Sequence, residues 1–231
     1  MERVAPSLAV EISQAVATLP TPPQQAGPED LPREAAQAAR EALARGETHY
    51  TDRPGIGVLR GAVAARLTQG GFAVDPDHVL ITCGVEEARF VVVQAAMPRG
   101  GVVSATSRSG VEGAVLAQGG TMGTPHEPAD VVFVDVAEAD EGGRTASVRQ
   151  GGWLVLEAPD ADVLTYPVDT LREQCIVVGS LGASSGLAAM RVGYLACSAD
   201  AYRKLRDFKQ ALTICTTNLS QWAAHAWLET P

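Results

Sequence analysis

The chain has 231 residues, of which 46% are hydrophobic, and carries a formal net charge of −9 at pH 7. That length and apolar content are enough for one sizeable globular domain. The acidic balance and the lack of a lysine or arginine cluster argue against nucleic acid and anionic membrane as partners, and no apolar run is long enough to span a membrane. The N-terminus lacks the pattern of a secretory signal, so we expect a cytoplasmic protein.

The chain begins with a proline-rich stretch. Five prolines fall within residues 1–28, which we interpret as an extended N-terminal arm with a short amphipathic helix over residues 8–18. Residues 29–231 are expected to form one domain. Its first predicted elements are helices over residues 29–45 and 58–68, where apolar residues recur at helical spacing.

From residue 74 onward, short apolar runs alternate with helical patterns. The predicted strands cover residues 79–82, 102–105, 131–136, 153–156, 176–178 and 192–197. The predicted helices cover residues 85–97, 111–118, 201–212 and 220–228. Continuous apolar strands separated by helices predict an α/β fold, with a mostly parallel sheet sandwiched by helices. In such sheets ligands bind beyond the carboxyl ends of the strands, which is where we expect a site.

One segment, residues 177–194, reads VVGSLGASSGLAAMRVGY. It resembles the cofactor-lysine motif of the class I/II aminotransferases, the fold-type I pyridoxal-phosphate (PLP) enzymes. The matching positions are Ser180, Gly186, Leu187, Arg191, Gly193 and Tyr194. Residues 49–60 and 217–224 are similar to two further motifs of that family. Over residues 21–228 the resemblance implies an aminotransferase-like large domain, without the small C-terminal domain that usually follows it.

The resemblance also implies that covalent PLP chemistry has been lost. Where the family has its Schiff-base lysine, this chain has Ala183, which cannot form an imine. The two lysines of the chain, Lys204 and Lys209, fall on a later predicted helix and are expected to be solvated. An engineered replacement of lysine by alanine is an alternative explanation for Ala183.

The same comparison indicates that three residues which contact the cofactor ring in the family have no counterpart in this chain. At the position of the carboxylate that partners the pyridine nitrogen the chain has Leu156, unless a strand bulge shifts Glu157 into that place. Residues 136–143 lack the asparagine of the family's Asn-Pro-Thr-Gly turn, and residues 107–110 lack its stacking aromatic. A single engineered substitution would not explain all of these departures.

The phosphate side of the cofactor site, by contrast, is retained. The family uses a turn at a helix N-terminus, a hydroxyl donor, a bidentate arginine and a tyrosine that reaches the phosphate of the neighbouring subunit. The residues at these positions are Gly84, Val85, Glu86, Ser180, Arg191 and Tyr50. They predict a phosphate- or anion-binding site. The alternative is an inherited scaffold, in which Arg191 pairs with a carboxylate such as Glu157.

Residues for acid–base chemistry are less well defined. The candidates are Glu157, Tyr50, Arg191 and His49. Glu157 is followed by Asp160 and Asp162, a group that would suit acid–base work or a divalent ion, although a solvated loop is favoured and no metal is expected. His126 is expected to be structural or exposed. The four cysteines form no C-x-x-C pair and are expected to be reduced and buried.

Three functions remain open at this point. The first is a biosynthetic protein that uses the inherited cleft for a PLP-independent cyclisation, isomerisation or elimination, with non-covalent PLP or another phosphate or carboxylate as ligand. The second is a non-catalytic partner or scaffold subunit, a homodimer or a heterodimer with an aminotransferase homologue, to which Tyr50 and the helix face of Trp222 and Trp227 would contribute. The third is a PLP-dependent aminotransferase whose lysine is engineered or misaligned.

Overall fold

The computed structural model describes residues 31–106, 110–124, 127–136, 148–159, 172–182 and 185–230. The proline-rich arm predicted for residues 1–28, with its amphipathic helix, lies outside these ranges. In the described part of the chain, helices and strands alternate around one seven-stranded sheet. No helix within these ranges is long and apolar enough to cross a membrane.

Six α-helices are present in the described ranges. They are α1 (Arg33–Ala44), α2 (Gly57–Gln69), α3 (Val85–Ala96), α4 (Glu112–Ala117), α5 (Ala199–Thr213) and α6 (Asn218–Glu229). Each coincides with a helix that apolar spacing predicts. The first one begins directly after Pro32, because the fixed φ and missing N–H of proline suit the start of a helix.

The sheet is mostly parallel, as the sequence predicts. Its strands are β1 (Val79–Thr82), β2 (Val102–Ala105), β3 (Thr121–Met122), β4 (Ala129–Asp135), β5 (Val148–Glu157), β6 (Cys175–Ser180) and β7 (Gly193–Cys197). They are ordered β1-β7-β6-β5-β4-β2-β3. Only β7 runs antiparallel to its neighbours among these strands. The sequence does not predict β3, because two residues carry no periodicity.

Helices cover both faces of the sheet, because successive strand residues are apolar on both sides. On one face, α1, α2 and α6 bury Ala35, Leu59 and Ala223 in the same cluster as Leu156 of β5. On the other face, α3, α4 and α5 cover the intervening strand residues, including Val155 of the same strand. The predicted sandwich is therefore confirmed. Successive side chains of β5 belong alternately to the core on one face of the sheet and to the core on the other.

Candidate anion site at the carboxyl edge of the sheet

Three strands bring the candidate residues together at one edge of the sheet. β1 and β6 are both antiparallel to β7, so they run parallel to each other and their carboxyl ends meet the start of β7. Gly193, the first residue of β7, is opposite Thr82 on one side and Ser180 on the other. The turn that follows Thr82 and the loop that ends at Arg191 therefore lie side by side.

The turn at Gly84 opens α3. Gly84 has a φ of 81°, which glycine adopts without steric cost, and it is the N-cap of the helix that begins at Val85. The Thr82 hydroxyl donates to the Gly84 carbonyl at 2.9 Å. Among the described residues, no acceptor is hydrogen-bonded to the N–H of Val85 or Glu86. With the positive end of the helix dipole, these N–H groups are donors for an anion.

Gly193 allows β7 to approach this turn closely. A β-carbon at Gly193 would lie 2.5 Å from the carbonyl carbon of Gly84 and 2.8 Å from the amide nitrogen of Val85. Both are backbone atoms, which cannot rotate out of the way as a side chain can. Gly193 thus has a packing role, and it fixes the position of the donor N–H groups relative to the sheet.

Tyr194, the next residue of the motif, also has a packing role. Its side chain is fully buried, and its hydroxyl donates to the Ala158 carbonyl at 2.7 Å. A β-carbon at Gly179 would lie 2.8 Å from the Tyr194 hydroxyl oxygen and would also clash with the Ala158 carbonyl oxygen. The small residue on β6 and the buried tyrosine on β7 therefore require each other.

Arg191 lies over the Gly84 turn. It occupies the left-handed region with a φ of 49°, at the end of the short 3-10 turn Ala188–Met190. Its Nη2 donates to the Cys83 carbonyl at 3.4 Å and lies 3.5 Å from where a β-carbon at Gly84 would be. The residue is exposed, and no salt bridge among the described residues involves it. Its charge is thus open to an anion from solvent.

Ser180 and Glu86 complete the surroundings of the turn. Ser180 is half-buried at the end of β6. Glu86 is in the first turn of α3, and its carboxylate accepts from Arg89 Nη1 at 2.7 Å. Arg89 also pairs with Glu157, so its one positive charge is shared between two carboxylates and the negative charge of Glu86 is only partly offset. Ser180 pairs with Gly193, which packs against Gly84 and Val85, and Arg191 lies over the same turn.

Glu157 does not pair with Arg191; it pairs with Arg89 of α3. Both of its carboxylate oxygens accept from this guanidinium, from Nε at 2.6 Å and from Nη2 at 3.0 Å. The Glu157 side chain is 8% exposed, so the pair is largely removed from solvent. Burial alone would lower the pKa of Arg89, but the hydrogen bond and charge of Glu157 outweigh it and the pKa is raised. Glu157 is therefore not a free general base.

The strand geometry keeps Glu157 away from the face of Leu156. β5 pairs with β4 in regular register from Trp153 to Glu157, and with β6 from Leu154 to Glu157, so no bulge shifts the carboxylate. Leu156 is fully buried in the core under α1, α2 and α6. At the position where the resemblance puts the pyridine carboxylate, the side chain is thus an apolar core residue.

Tyr50 and His49 lie on the loop between α1 and α2, and no hydrogen bond of the described residues links their side chains to the edge described above. Tyr50 is 75% exposed, and His49 is exposed with its carbonyl oxygen accepting from Asn218 Nδ2 at 3.4 Å. The fully buried Gln221 of α6 anchors the loop further along: its Oε1 accepts from the Ile56 N–H at 2.9 Å. Gln221 was not singled out from the sequence, although it lies in the segment that resembles the family.

Lys209 is not solvated, and this expectation was wrong. Its side chain is fully buried, whereas Lys204, on the same helix, is exposed as predicted. The spacing of Ala201, Leu205 and Lys209, four residues apart on the buried side of α5, is the signal that could have indicated it. Burial lowers the pKa of Lys209.

All four cysteines are free thiols, and two of them, Cys83 and Cys215, are only half-buried rather than buried as expected. Cys175 and Cys197 are buried, and burial raises the pKa of each to about 12. Cys83 and Cys215 are half-buried, and burial also raises the pKa of Cys83. The described residues contain no cluster of histidine, cysteine, aspartate and glutamate suited to a metal.

Several predicted features lie outside the described residues. These are Ala183, the segments 107–109 and 137–143, Asp160, Asp162 and His126. That position 183 is an alanine, and that residues 136–143 lack an asparagine and residues 107–110 an aromatic, is thus known from the sequence alone. In the described part of the chain, the geometry supports an anion site at α3 and a separate ion-paired region around Arg89 and Glu157.

Known proteins resemble part of this chain in sequence. The family model for aminotransferase class I and II matches residues 152–231. Over 72 residues the chain is 35% identical to a probable aspartate aminotransferase of Methanocaldococcus jannaschii and 38% identical to an aspartate/prephenate aminotransferase of Thermus thermophilus. Each match covers 31% of this chain and 19% of the relative, so the matched segment spans about a fifth of the relatives' length.

Solved structures resemble almost the whole chain. A Methanococcus jannaschii protein described as similar in its active site to kynurenine aminotransferases superposes with a TM-score of 0.77 at 15% identity, covering 96% of this chain and 69% of that one. An Escherichia coli protein with a methionine aminotransferase function gives 0.75 at 19% identity, covering 97% and 71%. These likenesses establish a shared fold across residues that the sequence matches leave uncovered.

Proposed function

We propose that this chain, which has the large-domain fold of the class I and II aminotransferases, binds a small phosphate- or carboxylate-bearing molecule non-covalently and does not form an imine with PLP. The observation that carries the proposal is the position of Arg191 over the Gly84 turn. In the described part of the chain, a guanidinium without an ion-pair partner and two N–H groups without an acceptor lie there at the N-terminus of α3.

PLP fits this site at its phosphate end. The N–H groups of Val85 and Glu86, the hydroxyl of Ser180 and the guanidinium of Arg191 would hold the phosphate. When bound in an aminotransferase-like protein, PLP supplies an electron sink for reactions at an amine-bearing carbon. We therefore include PLP itself among the anionic ligands, held without a covalent bond.

The residues around the position of the PLP ring would not make the ring an electron sink. The pyridine nitrogen needs a carboxylate that keeps it protonated, and this chain has the buried Leu156 at the corresponding position. The nearest carboxylate along the strand, Glu157, has both oxygens bound to Arg89. Since Ala183 offers no amine either, we derive no chemical step through PLP.

If the protein is an enzyme, the bound anion is its substrate and the reaction does not use PLP. Arg191 and the α3 turn would bind and orient the substrate through its phosphate or carboxylate, leaving the rest of the molecule free at the sheet edge. The reaction classes that need no cofactor, namely cyclisation, isomerisation and elimination, remain the candidates. Of the proposed acid–base residues, Glu157 is held by Arg89, and His49 and Tyr50 lie on another loop, so none of them is assigned a step.

A second candidate function, a non-catalytic partner subunit, is favoured by the exposure of Tyr50. A tyrosine that is 75% exposed on a loop anchored by buried Gln221 is suited to contact a second chain. The second chain would be a copy of this protein or an aminotransferase homologue. Size measurement of the purified protein, alone and mixed with such a homologue, tests this alternative.

Ligand-induced stabilisation tests the anion site. Sulfate, inorganic phosphate and PLP should each raise the melting temperature, because a ligand that binds the folded state stabilises it. Arg191→Ala should abolish the shift, whereas Arg203→Ala, which removes an exposed arginine from α5, should retain it. An unchanged shift in Arg191→Ala would overturn the assignment. A yellow absorbance that changes on addition of amino acids would instead identify a PLP-dependent aminotransferase.

A further inference from the structure

The carboxylate of Glu87 is bound to the backbone of the turn that opens α3. Glu87 lies in the first turn of this helix and is buried. One of its oxygens accepts from the Cys83 N–H at 2.5 Å, directly before the N-cap Gly84. Because glycine has no side chain, the N-cap residue does not use the N–H groups of the first helical turn. Glu87 therefore binds the donor that lies outside the helix and leaves the helical donors to a ligand.

The second oxygen of Glu87 is bound by the end of α5. The Thr213 hydroxyl donates to it at 2.5 Å, and Thr213 is the last residue of that helix. Three residues further on, the Thr216 hydroxyl donates to the Ile81 carbonyl of β1 at 3.0 Å. Residues 213–216 are thus attached at one end to α3 and at the other to β1, which are the two elements that the Gly84 turn connects.

The backbone between these two threonines is strained. Ile214 has a φ of 62° and a ψ of −74°, and the Cys215 N–H donates to the Thr213 carbonyl at 2.7 Å, which defines a γ-turn of the rare, strained kind. A β-branched residue keeps these angles only where its surroundings hold it there. Among the described residues, Ile214 and Arg191 are the two non-glycine residues with positive φ, and Arg191 contacts the same turn through the Cys83 carbonyl. Because backbone strain of this kind concentrates at binding and active sites, its location here supports a role in binding.

We propose that Glu87 is a positioning residue of the anion site, which holds the Gly84 turn in the conformation that presents the helix N–H groups and Arg191 to the ligand. The inference rests on the proposed anion site. Glu87 binds the N–H of Cys83, and Arg191 binds the carbonyl of the same residue, so the backbone of the turn is held at both groups. Thr213 in turn holds the Glu87 carboxylate.

The physical basis is a turn that is ordered before the anion arrives. When only a fraction of the free protein has the binding conformation, the apparent affinity is reduced by that fraction. The negative charge of Glu87 acts in the opposite direction, because it repels an anion at the same helix N-terminus. Glu87 thus weakens anion binding through its charge and strengthens it through its hydrogen bonds, and substitution can separate the two effects.

Two substitutions of Glu87 make this separation. Glu87→Gln and Glu87→Met both remove the charge, including its interaction with the Lys209 amine, but only glutamine keeps an oxygen that can accept from the Cys83 N–H. Glu87→Gln should bind sulfate at least as tightly as the wild type. Glu87→Met should bind it about tenfold more weakly than Glu87→Gln, the scale of one lost hydrogen bond. Calorimetry measures the dissociation constants, at a temperature where circular dichroism shows each variant to be folded. Equal constants for the two variants would overturn the inference and leave the anion site standing.

Thr213→Val decides the matter if the methionine variant does not fold. It removes the hydroxyl that binds Glu87, keeps the branched shape of the side chain and should weaken sulfate binding by about threefold. Thr230→Val is the matched control, because it removes a hydroxyl that donates to the Ala226 carbonyl at the end of α6, and it should leave the dissociation constant unchanged. Equal constants for these two variants would then overturn the inference. If sulfate does not bind to the wild type, the inference and the proposed anion site are both wrong.

Discussion

The two ends of one sheet edge use charge in opposite ways. At the α3 turn, Arg191 is exposed and donates a long hydrogen bond to a carbonyl, and among the residues that the structure describes no acceptor binds the neighbouring N–H groups. At the end of β5, Glu157 is buried and accepts two hydrogen bonds from Arg89, which is half-buried and also donates to Glu86. The turn therefore keeps a positive potential that can attract a ligand, whereas the charges of Arg89 and Glu157 interact with each other. This contrast suggests binding at the turn and structural stabilisation at β5.

Breaking the Arg89–Glu157 pair should have the largest effect on stability. Arg89→Met leaves a buried carboxylate without its two donors and should lower the free energy of unfolding by about 3–5 kcal/mol, measured by urea denaturation. Arg149→Met, which breaks the more exposed pair with Asp130, is the control and should cost about 1 kcal/mol or less. Replacing Arg89 and Glu157 together by methionine should recover most of the loss. If the single Arg89 variant is as stable as the control, the pair has no structural role.

Crowding the α3 turn should have the next largest effect. Gly193→Ala places a methyl group against backbone atoms of Gly84 and Val85 and should cost about 2–3 kcal/mol, together with loss of sulfate binding. Gly61→Ala is the matched control, because a β-carbon there meets nothing within 4 Å inside α2. It should stabilise the protein by about 0.5–1 kcal/mol. Equal effects of the two substitutions would contradict the close approach of β7 to the turn.

Removing the buried amine should stabilise the protein near neutral pH. Lys209→Met replaces a buried amine, whose Nζ has no hydrogen-bond partner among the described residues, by an apolar side chain of similar length and should add about 1 kcal/mol or more. The pKa of Lys209 is lowered on folding from the ordinary 10.5, so between the folded and unfolded values the unfolded chain binds more protons. Wild-type stability should therefore rise with pH through this window, relative to the variant. A constant difference across pH would contradict the lowered pKa.

Changes at the binding residues should have the smallest effect on stability. Arg191→Ala removes an exposed side chain with one long contact and should change the free energy of unfolding by about 0.5 kcal/mol or less. The same variant should lose the stabilisation by sulfate. A cost comparable to that of Arg89→Met would mean that Arg191 holds the fold together, which would remove the distinction between the two ends of the edge.

Local signals predicted much of the fold and part of the site. The alternation of apolar runs with helical spacing located every helix and every strand longer than two residues in the described ranges. The motif around Ser180 and Arg191 located the residues that we propose to bind an anion, since Gly193 and Tyr194 are constrained by backbone contacts that allow few other residues. These features depend on neighbours in sequence or on the requirement for a very small residue.

The sequence by itself determined the α/β class, the order of the elements and the turn that opens α3, because periodicity and glycine positions act over a few residues. Only the tertiary structure decided that Glu157 binds Arg89, 68 residues away, and that Glu87 binds Thr213, 126 residues away. It also decided that Lys209 is buried. Pairings over such distances depend on which helix covers which strand, and the charge of a residue alone does not specify its partner.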